Sequence, residues 1–139
     1  MASGKQYLDT MQALSDLGID KSIAKKLGLN LYKVGMPWPI EPKGVKDFSL
    51  GTEELLIIEE KRPVIEGQVK ELLYNWPEKS RPRIVGKSDE KGAQLVPATN
   101  ELSPELIARV IASRAEKFDT SGYIKNRLSL IKRKEEAQN

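Results

Sequence analysis

The sequence predicts an α/β fold of three layers, with helices on both sides of a short, mainly parallel sheet, and three observations predict it. Between Leu29 and Tyr74 apolar, strand-like runs alternate with segments of helical spacing, the order that builds parallel layers. Leu55-Leu56-Ile57-Ile58 is an unbroken apolar run, the pattern of a strand covered on both faces. At 139 residues the chain has the length of one domain, enough to bury roughly two thirds of the surface its unfolded form exposes.

From the N-terminus, Tyr7, Leu8, Met11, Leu14 and Leu17 recur at helical spacing, and Gly18 supplies a left-handed closing residue. Asp20 caps a short second helix in which Ile23, Ala24 and Leu27 share a face, ended by Gly28. Leu29 to Met36 reads as a strand. It must stop there, because Pro37-Trp38-Pro39 has only one backbone N–H to offer a ladder. Pro42 suits the first turn of another helix, with Val45 and Phe48 on its buried face and Gly51 as its end.

The Leu55 to Ile58 strand follows. A helix opens at Pro63, places Ile65, Val69, Leu72 and Leu73 on one stripe, and stops at Trp76-Pro77. Arg83 to Gly86 is a short strand, and the polar run from Lys87 to Asn100 is a loop that holds a short hairpin. Ser103-Pro104-Glu105 combines an N-cap serine, a proline at the first helical position and a carboxylate in the positive first turn. Leu102 can staple to Ile107 across that cap. Ile107, Val110, Ile111 and Phe118 continue on one face until Asp119-Thr120-Ser121-Gly122 interrupts the helix. A last helix, Gly122 to Ala137, carries Ile124, Leu128 and Ile131. The expected organisation is an α/β domain over residues 1–120 and a helix over 121–139 that leads out to a further domain.

Composition narrows the chemistry. The chain has no His and no Cys, which removes imidazole bases, thiolate nucleophiles, disulfides, thiolate zinc sites and cysteine-held iron-sulfur clusters from it. Apolar residues at 39% and charged residues at 31% suit a globular protein and not a disordered one. No apolar run reaches the length of a membrane span, and the MASGKQYLD start has no signal-peptide core, so a cytoplasmic home is the default. Net charge is +3, and the excess lies in the tail, where Lys125, Arg127, Lys132, Arg133 and Lys134 face Glu135 and Glu136. That pattern is a solvated helix face; nucleic-acid binding would call for aromatic residues among the charges, and Tyr123 stands alone.

Some residues invite functional readings. Glu59 and Glu60 sit at the carboxyl end of an expected parallel strand, where open α/β sheets place ligands. A carboxylate pair there can bind a cation or act as an acid, but Lys61 and Arg62 follow at once and can neutralise both, giving a structural ion-pair cluster at an interface. Trp38 between two prolines can be a stacking platform, an interdomain anchor or an ordinary packing residue. Gly4-Lys5 resembles the end of a phosphate loop, without its upstream glycines and with Gln6 in place of the magnesium-binding hydroxyl. Tyr7, Tyr32 and Tyr74 read as core and rim residues. Catalytic, cofactor-binding and metal residues are expected to be absent; Trp38, Glu59, Glu60, Lys61 and Arg62 are the candidate interdomain contacts.

Pro39-Ile40-Glu41 and the run Leu55 to Glu60, taken in the order of elements above, resemble the transketolase C-terminal-like domain of thiamine-diphosphate enzymes. A closer resemblance is to the indolepyruvate ferredoxin oxidoreductase group of the 2-oxoacid:ferredoxin oxidoreductases. It is carried by Leu31 to Met36, Trp38-Pro39, Glu59-Glu60-Lys61-Arg62-Pro63, Glu71 to Asn75, Pro82 to Lys87 and Glu101-Leu102-Ser103-Pro104, and covers most of residues 3–137. The resemblance implies a piece of an enzyme that oxidatively decarboxylates aryl 2-oxoacids with thiamine diphosphate, Mg²⁺ and iron-sulfur clusters and passes electrons to ferredoxin. The cofactors are expected in other parts of that parent enzyme, and this chain alone is expected to be inactive. The family would place a strand before Ser3-Gly4-Lys5, so the sheet is expected to lack its first strand. An exposed sheet edge and an unpartnered last helix would then favour self-association into a homo-oligomer. The alternatives are a free-standing α/β module for a nucleotide or acyl-coenzyme A, which would need a glycine-rich phosphate turn, and a nucleic-acid adaptor built on the basic tail. The expected partners are the parent's other domains, not nucleic acid or membrane.

Overall fold

The structure, a computed structural model, describes residues 1–98 and 101–138. Among these residues six helices and two short strands follow one another: α1 (Gly4–Asp16), α2 (Lys21–Leu27), α3 (Pro42–Ser49), β1 (Glu54–Leu56), α4 (Val64–Leu73), β2 (Arg83–Val85), α5 (Pro104–Ala115) and α6 (Tyr123–Gln138). The chain divides into two compact units. One comprises Met1–Tyr7 and Leu31–Leu102, the other Leu8–Asn30 and Ser103–Asn139.

In the first unit β1 and β2 pair in parallel, Glu54 beside Arg83, Leu55 beside Ile84 and Leu56 beside Val85, with α4 as the crossover between them. This mixed arrangement of helices and a short parallel sheet agrees with the α/β class. The core gathers Val34, Ile40, Val45, Leu55, Ile57, Ile65, Val69 and Leu73, with Trp76, Tyr32 and Phe48 packed against it. Val45, Leu55, Ile57, Ile65, Val69 and Leu73 are residues that helical and strand spacing pick out, whereas Val34 and Ile40 come from irregular segments. Pro42 does lie in the first turn of α3, and Glu41 before it accepts from Lys43 and Gly44 N–H at 2.9 and 2.6 Å. Gly44 has no room for a side chain, since a Cβ would meet the Tyr32 hydroxyl. Ser88 and Gln94 form an isolated antiparallel bridge, so the loop after β2 does hold a small hairpin; the expected end of that loop, Thr99 and Asn100, lies outside the described residues.

Leu29 to Met36 is not a strand. Its one ladder contact is a parallel bridge from Lys33 to Ala2, with Ala2 N–H donating to Tyr32 and Val34 N–H to Ala2. Met1 on the same short stretch donates to the Leu56 carbonyl at 2.7 Å and accepts from Ile58 N–H at 2.9 Å. Met1 and Ala2 are thus threaded between residues 32–34 and β1, the edge where an absent strand was expected. Burial strips water from the Met1 ammonium and pushes its pKa down from 8.0 to about 5.

In the second unit Asp20 caps α2 through Ile23 N–H at 2.8 Å, and Gly28 closes it at φ 71°. Ser103 caps α5 through Leu106 N–H. That helix ends at Ala115, so Phe118 falls in the following turns and is 43% exposed, not on the buried face with Ile107, Val110 and Ile111. Asp119 then starts α6. It accepts from the Ser121 hydroxyl and from Ile124 and Ser121 N–H, and these bonds, the hydroxyl's foremost, hold its carboxyl below the ordinary range. Helix α6 reaches back to the end of α1: the Tyr123 hydroxyl donates to Gly18 O at 2.7 Å, and Arg127 donates to Leu17 O and Asp16 O. Arg109 of α5 pairs with Glu135 of α6. The terminal helix therefore has partners within its own unit.

Candidate functional site

The site with the most chemistry is the turn from Glu59 to Pro63, between β1 and α4. Lys61 turns the chain with φ at 56°, a conformation that costs a residue with a Cβ. Helix α4 then begins behind Pro63, which offers no side-chain cap. Its first N–H groups would be orphan donors. Glu59 supplies what Pro63 cannot, its two carboxylate oxygens accepting from Ile65 and Glu66 N–H at 2.8 and 3.0 Å. A buried carboxylate at the positive end of a helix is favourably placed, and Glu59 is buried. Glu60 accepts from Leu102 N–H at 3.2 Å.

The expected ion-pair cluster is therefore not formed. Lys61 and Arg62 are exposed and take part in no ion pair among the described residues. Backbone N–H groups reached the carboxylates first, because they are fixed in place and carry no side-chain entropy to lose. Lys87 enters instead, donating its ammonium to the carbonyls of Glu59 and Pro97. Desolvation lowers its pKa, against the opposing pull of Glu59, Glu66 and Glu60. Glu66 takes Lys87 N–H on one oxygen at 2.8 Å and Lys70 Nζ on the other at 2.7 Å. Gly86 makes room for it, since a Cβ there would run into the Glu66 carboxylate. Glu66, Gly86 and Lys87 were missed from sequence; a strand ending in Gly-Lys opposite a buried helical Glu was the available signal.

Beside this turn lies an open cleft of about 380 Å³ whose walls include Gln6, Pro37 and Val64 together with two acids, Glu59 and Glu60, and two cations, Lys61 and Arg62. Trp38, next to Pro37, is 70% exposed and does not follow the ordinary packing reading. Its loop is held by one amide: Gln68 donates to Pro37 O at 2.6 Å and to Val64 O, and accepts from Ile40 N–H at 2.8 Å. The Trp38-Pro39 peptide is cis. Tyr7 and Tyr32 are half-buried, whereas Tyr74 is 72% exposed and belongs to neither core nor rim. Gly4 opens α1 and Lys5 pairs with Glu101 at 3.5 Å, a surface contact with no phosphate cradle about it. Among the described residues no three acidic groups are gathered to hold a metal ion, and no helix is long and apolar enough to cross a membrane.

Residues 1–139 match the family described as the indolepyruvate ferredoxin oxidoreductase middle domain. The chain is also similar to the indolepyruvate oxidoreductase subunit IorA of Pyrococcus horikoshii and of Pyrococcus abyssi, 30% identical over 112 residues in each case. The same subunit of Thermococcus kodakarensis is 31% identical over 112 residues. Each of these matches covers 81% of this chain but 15% of the relative, so the chain spans a small part of the subunits it resembles. No solved structure matches it.

Proposed function

Because the chain belongs to the indolepyruvate ferredoxin oxidoreductase middle-domain family, we propose that it is a non-catalytic docking domain of an oxidoreductase that oxidatively decarboxylates indolepyruvate and related aryl 2-oxoacids. In this reading the parent enzyme uses thiamine diphosphate with Mg²⁺ and passes electrons through iron-sulfur clusters to ferredoxin in the cytoplasm. Its transketolase C-terminal-like α/β layer lies in the first unit, where the parallel β1-α4-β2 arrangement supports that fold.

The observation that carries the non-catalytic part is the use of Glu59 and Glu60. The chain's best-placed acids, at the carboxyl end of a parallel strand, are bonded to the N–H groups of Ile65, Glu66 and Leu102. They are caps and ties, and neither is positioned as a free acid or as one of a metal-ligand set. Iron-sulfur clusters need thiolates that this sequence lacks, and this reading puts thiamine diphosphate and Mg²⁺ elsewhere in the parent as well. Those groups are assigned to other parts of the parent.

The test is an assay of residues 1–139 alone with indolepyruvate, coenzyme A, thiamine diphosphate, Mg²⁺ and an electron acceptor. No reduction of the acceptor is expected. Turnover by the isolated chain would overturn the docking-domain reading.

A further inference from the structure

We draw no further inference here: the strongest candidate, the open cleft beside the turn from Glu59 to Pro63, is lined by the acids Glu59 and Glu60 as well as the cations Lys61 and Arg62, so its charges select no one class of ligand or partner and nothing in the structure shows what covers it.

Discussion

At the scale of single residues, Glu59 ties the start of α4 to the end of β1. Glu59→Ala leaves two buried N–H groups, those of Ile65 and Glu66, without an acceptor, and should cost about 1 to 3 kcal/mol in urea unfolding. Glu59→Gln keeps one acceptor oxygen and should cost clearly less. Gly86→Ala drives a methyl group into the Glu66 carboxylate that holds Lys87 N–H and Lys70, so it should destabilise more than the same change at Gly35, which is exposed, lies outside the left-handed region and has open space around it. The Met1 amine gives a pH signature. Folded, it titrates at about 5; unfolded, at 8.0. The unfolded chain therefore binds the proton first, and stability present above pH 8 is lost as pH falls towards 5, by roughly 4 kcal/mol at most. Nα-acetylation, which leaves one N–H for Leu56 and removes the titration, should abolish that component.

At the scale of elements, β1 has backbone partners on both sides, Met1 on one and β2 on the other, and Ile57 just beyond it is 1% exposed. Ile57→Ala should cost about 2 to 5 kcal/mol, the range for an emptied core site; a loss under about 1 kcal/mol would mark the strand as peripheral. In the second unit, Arg127→Ala frees the Asp16 and Leu17 carbonyls and should speed amide exchange in α6 relative to α5. What could be read from sequence follows from locality. Asp20, Gly28, Pro42 and Ser103 act within one turn of where they stand, so α2, α3 and the start of α5 were legible to within a residue or two. The Met1-Ala2 pairing was not, because two residues have no periodicity and their partners lie some 30 and 55 positions away. The Glu59 to Arg62 turn was found but its bonding was misread: adjacent charges suggested ion pairs, whereas the nearest fixed donors belonged to the helix still to come.

At the scale of the molecule, the docking-domain reading puts thiamine diphosphate and Mg²⁺ in other parts of the parent, so saturating cofactor should leave the melting temperature of the isolated chain unchanged; a rise would count against the reading. Sedimentation bears on the expected self-association. That expectation rested on an open edge at β1 and a free terminal helix, and Met1 occupies the first while Gly18, Leu17 and Asp16 engage the second. A concentration-independent monomer is the expected outcome, and a mass that rises with concentration would restore the homo-oligomer. The placing of the two tryptophans also decides how such experiments can be watched. Trp38 stands in solvent and Trp76 packs on the first unit's core, and the second unit contains no tryptophan at all. Emission from this protein is thus the sum of a quencher-accessible indole and a shielded one, and both report on a single unit. In Trp38→Phe the remaining signal follows the first core alone, while melting of α5 and α6 passes unseen in the fluorometer and has to be followed by circular dichroism or through Tyr123.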